Sequence, residues 1–208
     1  MVQTICAAIE SGEPHNLRAL LAADPEGVER DTSGGDGSGN RFPPLHLVCD
    51  AVFRGCIADE RAVELADVLL EAGVDLGRVF PKTGDTYLIS AASLGAEAVG
   101  VRLVERGIDV HARGLFGASA LHWALFMGAP RLAAVLADAG CALEERDTQY
   151  ECTPLEWGLH AWLEGTNGRR EGIPPAVGAL VERGARVPPR AREALVGDAH
   201  AELRRALG

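Results

Sequence analysis

A phrase of seven residues recurs along this chain. Leu69-Leu70-Glu71-Ala72-Gly73-Val74-Asp75 returns as Leu103-Val104-Glu105-Arg106-Gly107-Ile108-Asp109. It comes back as Val135-Leu136-Ala137-Asp138-Ala139-Gly140-Cys141, and as Leu180-Val181-Glu182-Arg183-Gly184-Ala185. From Gly73 to Gly107 is 34 residues, from Gly107 to Gly140 is 33, and from Gly140 to Gly184 is 44. A period near 33 predicts a stacked array in which one small helical unit repeats, because no single unit can bury its apolar face alone. Arrays of this kind work mainly through an extended surface.

The unit is clearest over residues 114–143. Gly114-Leu115-Phe116-Gly117 has turn composition. Ser119 is a fitting N-cap for a helix through Leu121, His122, Trp123, Ala124 and Leu125, and Gly128 ends it. Pro130 sits at the favoured first position of a second helix. Leu132, Val135 and Leu136 give that helix an apolar stripe, and Gly140 supplies a left-handed stop.

Composition narrows the function classes. The 208 residues are 47% hydrophobic and carry a formal charge of −10. That hydrophobic content supports a core, and that charge disfavours nucleic acid and anionic membrane surfaces as partners. Residues 169–208 are the exception, with eight Arg against five acidic residues. They read either as a solvated face or as a basic docking end. Met1 leads directly into an amphipathic pattern (Ile5, Ala8, Ile9), with no signal-peptide or membrane-spanning pattern. The five cysteines (Cys6, Cys49, Cys56, Cys141, Cys152) are odd in number and lack a CxxC pair. A disulfide framework is therefore not expected, and a reducing, cytoplasmic setting is. Cys49, Cys56 and His46 lie near one another in sequence without a fourth ligand at zinc spacing, so no metal site is expected.

Ala118-Ser119-Ala120-Leu121-His122-Trp123-Ala124 resembles the T-P-L-H-x-A signature of ankyrin repeats. Phe42-Pro43-Pro44-Leu45-His46-Leu47 and Cys152-Thr153-Pro154-Leu155-Glu156-Trp157 are variants of it, and Asp85-Thr86-Tyr87-Leu88-Ile89-Ser90-Ala91-Ala92 is a more divergent copy. The resemblance covers nearly the whole chain. It implies an all-α ankyrin-repeat solenoid of helix-turn-helix units with short turn or hairpin fingers, forming one domain over 1–208. An N-terminal cap would occupy 1–30, with repeats at about 39–76, 81–113, 114–147 and 148–187 and a C-terminal cap at 188–208. Three insertions break the pattern: a glycine-rich stretch at 31–40, a longer connection at 53–59, and another at 165–174 that explains the 44-residue spacing. Each reads either as tolerated loop drift or as part of a binding face.

The resemblance also implies a function: non-covalent recognition of a partner protein through a concave groove, as an adaptor with no cofactor. On its register the contact positions are Phe42, Asp50, Asp85, Leu115, Phe116, Phe126, Met127, Tyr150 and His160. Gln149 and Cys152 fall on the same turns. Phe126-Met127 beside Phe116 stands out, since two adjacent large apolar residues do not share one narrow helical stripe. Trp123 and Trp157, 34 residues apart, either floor the groove or pack between repeats. The signature histidines, His46 and His122, are structural in resembling proteins, bonding to a Ser or Thr three residues earlier. His122 has Ser119 there, His46 has Pro43 instead, and Glu156 replaces the histidine in the last full repeat.

No phosphate loop, dinucleotide fingerprint, GxSxG elbow or HExxH occurs. An enzyme would need acid–base chemistry in a closed apolar groove, drawing on His46, Asp50, His122, Glu156 and His160. A small-molecule ligand stays open under that alternative.

Overall fold

The protein was analysed as a computed structural model that describes residues 4–33, 41–165, 170–189, 191, 195 and 200–208. Most of the 31–40 insertion, part of the 165–174 insertion and much of the expected C-terminal cap lie outside the described residues. The fold is all-α. Among the described residues there are eleven α-helices, three short 3-10 turns and one pair of two-residue strands.

The helices come as hairpins. α1 (Ile5–Glu10) and α2 (Pro14–Ala23) form the first, and α3 (Pro44–Phe53) and α4 (Asp59–Glu71) the second. α5 (Tyr87–Ser93) pairs with α6 (Glu97–Glu105), α7 (Ala120–Met127) with α8 (Pro130–Asp138), and α9 (Pro154–Glu164) with α10 (Ile173–Glu182). α11 (Ala201–Ala206) packs on α10. Between hairpins, contacts run in two series: α1, α3, α5, α7 and α9 along one, and α2, α4, α6, α8 and α10 along the other. The strands, β1 (Thr32–Ser33) and β2 (Arg41–Phe42), pair antiparallel with Thr32 opposite Phe42. No helix among the described residues is long and apolar enough to cross a membrane.

Local chemistry sets the helix boundaries. Thr86 caps α5, its hydroxyl accepting from the Ile89 N–H at 3.4 Å. Thr153 and Glu156 cap α9 reciprocally. The Thr153 hydroxyl accepts from the Glu156 N–H at 3.3 Å, and the Glu156 carboxylate accepts from the Thr153 N–H at 2.7 Å. The four glycines of the repeated phrase adopt φ between +80° and +93°, a region that a side chain disfavours, so each turns the chain out of its helix.

Buried leucines hold both series, and the even-numbered one has carboxylate bonds besides. Leu45, Leu65, Leu69, Leu88, Leu103, Leu121, Leu125 and Leu132 are fully buried. Each stabilises the stack by about 1.5–3 kcal/mol relative to exposure. Along the even-numbered series, acidic side chains also reach across to the next helix. Asp59 accepts from the Ala98 N–H at 2.8 Å, and Glu97 from the Arg131 and Leu132 N–H groups at 2.6 and 3.1 Å. A helix N-terminus has unpaired donors and a positive end, so each carboxylate satisfies both at once.

The turns preceding α5, α7 and α9 close in the same way. The Phe80 N–H donates to the Asp85 carbonyl, Gly114 to Ala118, and Asp147 to Cys152, at 2.8, 3.0 and 3.0 Å. Successive turns are then tied together. Leu115 N–H donates to the Asp85 carboxylate at 3.0 Å, and Thr148 N–H to the Phe116 carbonyl at 2.9 Å. The Arg113 guanidinium bonds to the Gly117 carbonyl at 2.6 Å, the Arg146 carbonyl at 2.5 Å and the Glu145 carboxylate.

Candidate functional site

The turns at 114–118 and 147–152, with α7 and α9 behind them, border a half-open cavity of about 440 Å³. Phe116, Trp123, Phe126, Tyr150, Cys152, Glu156, Trp157 and His160 line it. The two turns provide Phe116, Tyr150 and Cys152. The fourth and seventh residues of α7 provide Trp123 and Phe126, and α9 provides Glu156, Trp157 and His160.

Neighbouring rings stand nearly perpendicular. Trp123 and Trp157 meet at 81° with centroids 5.0 Å apart, and Trp123 and Phe126 at 83° and 6.0 Å. Phe126 and Trp157 lie at 74° and 5.9 Å, and Tyr150 and Trp157 at 69° and 6.1 Å. Phe116 tilts against both Tyr150 and Trp123. Edge-to-face contacts at these distances favour the positive edge of one ring over the negative face of the next.

Two devices hold the rings in place. Phe116 has φ +64°, a left-handed conformation that costs a non-glycine residue about 1–2 kcal/mol. Its carbonyl accepts from both the Thr148 N–H and hydroxyl at 2.9 Å. The next residue must be small, since a Cβ on Gly117 would meet the Thr148 hydroxyl at 2.5 Å. Asp147 is the second device. Only 2% exposed, its carboxylate accepts from the N–H groups of Gln149 (2.9 Å), Tyr150 (2.6 Å) and Cys152 (2.9 Å), and from the Trp157 indole at 3.0 Å. Burial pushes the Asp147 carboxyl upward, but these donors outweigh it and hold it below the usual carboxylate range.

His122 and Glu156 are committed to partners within the protein. His122 Nδ1 accepts from the Ser119 N–H at 3.2 Å and lies 2.9 Å from the Ser119 hydroxyl. The ring proton is therefore on Nε2, which donates to the Cys152 carbonyl at 3.2 Å. Burial lowers the His122 pKa despite that bond. Burial also raises the Cys152 thiol, with Glu156 and Asp147 adding to the rise, so it is not a thiolate nucleophile. Glu156 takes the Thr153 N–H and, at 3.1 Å, the Arg146 guanidinium. Among the described residues the buried Trp123 indole N–H has no hydrogen-bond partner.

Of the contact residues expected from the sequence, Phe116, Phe126, Tyr150 and His160 come together here. Phe126 and Met127 divide, since successive helical residues point about 100° apart. Phe126 faces the cavity, and Met127 turns inward at 7% exposure. Leu115 is 41% exposed beside Phe116 without lining the cavity. Asp85 is taken by the Leu115 N–H. Phe42 stacks on His46 at 4.0 Å in a separate cluster, and Asp50 is bound to Arg54 at 2.7 Å.

Of the acid–base set, only Glu156 and His160 share the cavity. His46 lies between Phe42 and Phe80 with Nδ1 3.1 Å from the Ser90 hydroxyl, and burial lowers its pKa to about 4. Among the described residues no group of three His, Cys, Asp or Glu side chains could hold a metal ion.

Trp123 and Trp157 do both things the sequence left open: they pack on each other and they line the cavity. Asp147 was not singled out by sequence. Its signal is an aspartate opening a turn, a residue that gathers nearby backbone N–H groups. No protein-family model matches this chain, and no curated protein matches it either.

Proposed function

We propose that this chain is an ankyrin-repeat solenoid that binds a partner protein through its concave face, with the aromatic cavity at the centre of the contact. The observation that carries this reading is the grouping of Phe116, Trp123, Phe126, Tyr150 and Trp157 around one opening. Aromatic residues are enriched at the centres of interfaces, where a few rigid anchors supply most of the affinity. The signature-like sequences, the glycine stops and the two series of helix contacts support the family assignment.

A second reading has one observation in its favour. A cavity of about 440 Å³ is within the usual range of small-molecule sites, so a ligand-binding protein is the alternative.

The test is affinity capture from native lysate, with immobilised wild type run beside a Phe116→Ala/Tyr150→Ala double variant. A protein retained by wild type and lost with the variant, at unchanged helicity, is the expected result. Identical captures from both would sink the partner-binding reading. A thermal upshift with a metabolite and no captured protein would favour the alternative.

A further inference from the structure

We infer that the aromatic cavity binds a small organic cation with an alkylated ammonium head, such as a trimethylammonium compound. A ring face carries negative charge density, so a box of mutually perpendicular rings concentrates that density on its contents. Trp123, Phe126, Tyr150 and Trp157 form near-perpendicular sides of such a box, and Phe116 closes against them at a tilt of 38° to Trp123 and 55° to Tyr150. Five apolar rings alone would suit a neutral ligand equally well. The carboxylates distinguish the two.

Glu156 lies on the cavity wall, and no Lys or Arg is among the described residues that line it. Asp147 sits directly behind Trp157 and accepts its indole N–H at 3.0 Å. Hydrogen bonds to an anion polarise the donor, so this bond pushes electron density into the indole and strengthens its face as a cation site. Arg146 is the nearby opposing charge, bonded to Glu156 at 3.1 Å. Glu156 is offset by Arg146 and Glu145 by Arg113, which leaves Asp147, behind the Trp157 wall, as the carboxylate without an ion-pair partner among the described residues, in a chain whose formal charge is −10.

The site is also built before a ligand arrives. Trp157 is pinned by Asp147, and Phe116 is held in its left-handed conformation by Thr148. Binding then costs little reordering. An alkylated ammonium fits these walls better than a bare one, because its methyl groups contact the rings and it sheds its weaker hydration more readily. The half-open space of about 440 Å³ exceeds one such head and leaves room for the rest of a small molecule beside it.

This inference rests on the small-molecule reading of the cavity and not on the partner-binding one, and choline titration tests it apart from the capture experiment. Choline and 3,3-dimethyl-1-butanol have nearly the same shape and differ in charge. Titration calorimetry and indole fluorescence with wild-type protein should show choline binding about tenfold or more tighter than the neutral alcohol, the advantage expected of a desolvated cation over aromatic faces. Glu156→Gln preserves the capping bond to Thr153 and removes the charge. It should weaken choline several-fold and leave the alcohol unchanged. Tyr150→Ala, at a side chain 58% exposed, should weaken choline without altering helicity.

Equal affinity for choline and the alcohol would overturn the inference, as would no binding of either. Nα-acetyl-trimethyllysine amide binding more than tenfold tighter than choline would overturn the small-molecule source. Loss of choline binding in Glu156→Gln with captured protein unaffected would support the inference whatever the partner is.

Discussion

The molecule has two aromatic clusters, one close-packed and one lining a hollow, and the helices behind them differ at the same two positions. The fourth and seventh residues of α3 are Leu47 and Asp50, and those of α5 are Ser90 and Ser93. In α7 and α9 the same positions hold Trp123 and Phe126, and Trp157 and His160. In the first cluster the residues are small or paired within the protein. Ser90 lies against His46, Ser93 bonds to the Ser90 carbonyl, and Asp50 is taken by Arg54. His46, Phe80 and Tyr87 then close on one another edge to face, with Tyr87 fully buried and its hydroxyl donating to Glu29 at 3.1 Å. In the second cluster three large rings and the His160 imidazole take these positions, and Trp123, Phe126 and Trp157 pack edge to face while lining the cavity. One backbone frame thus gives a sealed core or an open box according to side-chain volume at two positions per helix.

The largest expected effect falls on the hollow cluster's support. Asp147→Ala leaves four donors without their acceptor, three of them part-buried and the fourth the buried Trp157 indole. Each such loss is costly, and together they should destabilise the protein by about 3–5 kcal/mol. Urea unfolding at neutral pH measures this. Because the Asp147 pKa is lowered in the folded state, its contribution is present above the unfolded value near 3.8 and disappears as pH falls through the folded value. Wild type and variant should therefore converge in strong acid. A loss under 1 kcal/mol at neutral pH would mean that the turn finds other acceptors.

The sealed cluster should fail earlier on acidification. Burial lowers the His46 pKa from 6.5 to about 4, so between those values the unfolded chain binds a proton that the folded chain does not. Stability then rises with pH across that window and is lost as pH falls from 6.5 toward 4, by up to about 3 kcal/mol. His122, also lowered by burial, adds to the same slope. Urea midpoints at pH 7 and pH 5 should differ less in His46→Asn than in wild type. Equal differences would show that His46 titrates normally.

The features legible in the sequence are those with local causes. A glycine after a helical stripe marks a left-handed stop, a proline at the first helical position marks a start, and Ser119 before the α7 stripe marks a cap. The grouping of Phe116, Phe126, Tyr150 and His160 followed from counting 33 residues at a time. The rest depended on orientation and volume. Nothing local distinguishes Phe126, which faces the cavity, from Met127, which turns into the core. Asp147 acquires its role only when α9 brings the Trp157 indole over a turn ten residues earlier. Asp50 and Asp85 read as free polar groups until Arg54 and the Leu115 N–H are seen to occupy them.

The two tryptophans test whether the hollow cluster is shaped for its opening or merely packed. Both stand at the fourth position of their helices and touch each other, yet they are bonded differently. Trp157→Phe removes an indole whose N–H serves a buried carboxylate, and should cost about 2 kcal/mol or more. Trp123→Phe removes an indole whose buried N–H has no hydrogen-bond partner among the described residues. The ring area lost is similar, but deleting an unsatisfied donor offsets part of it, so this variant should cost about 1 kcal/mol or less. Urea unfolding of the two variants side by side gives the difference directly. If Trp123→Phe proves the more costly, its indole is a structural keystone and the walls are set by packing alone. If it proves the milder, a large ring with an orphaned donor is being kept where stability does not require it, as expected of a residue retained for what the cavity binds.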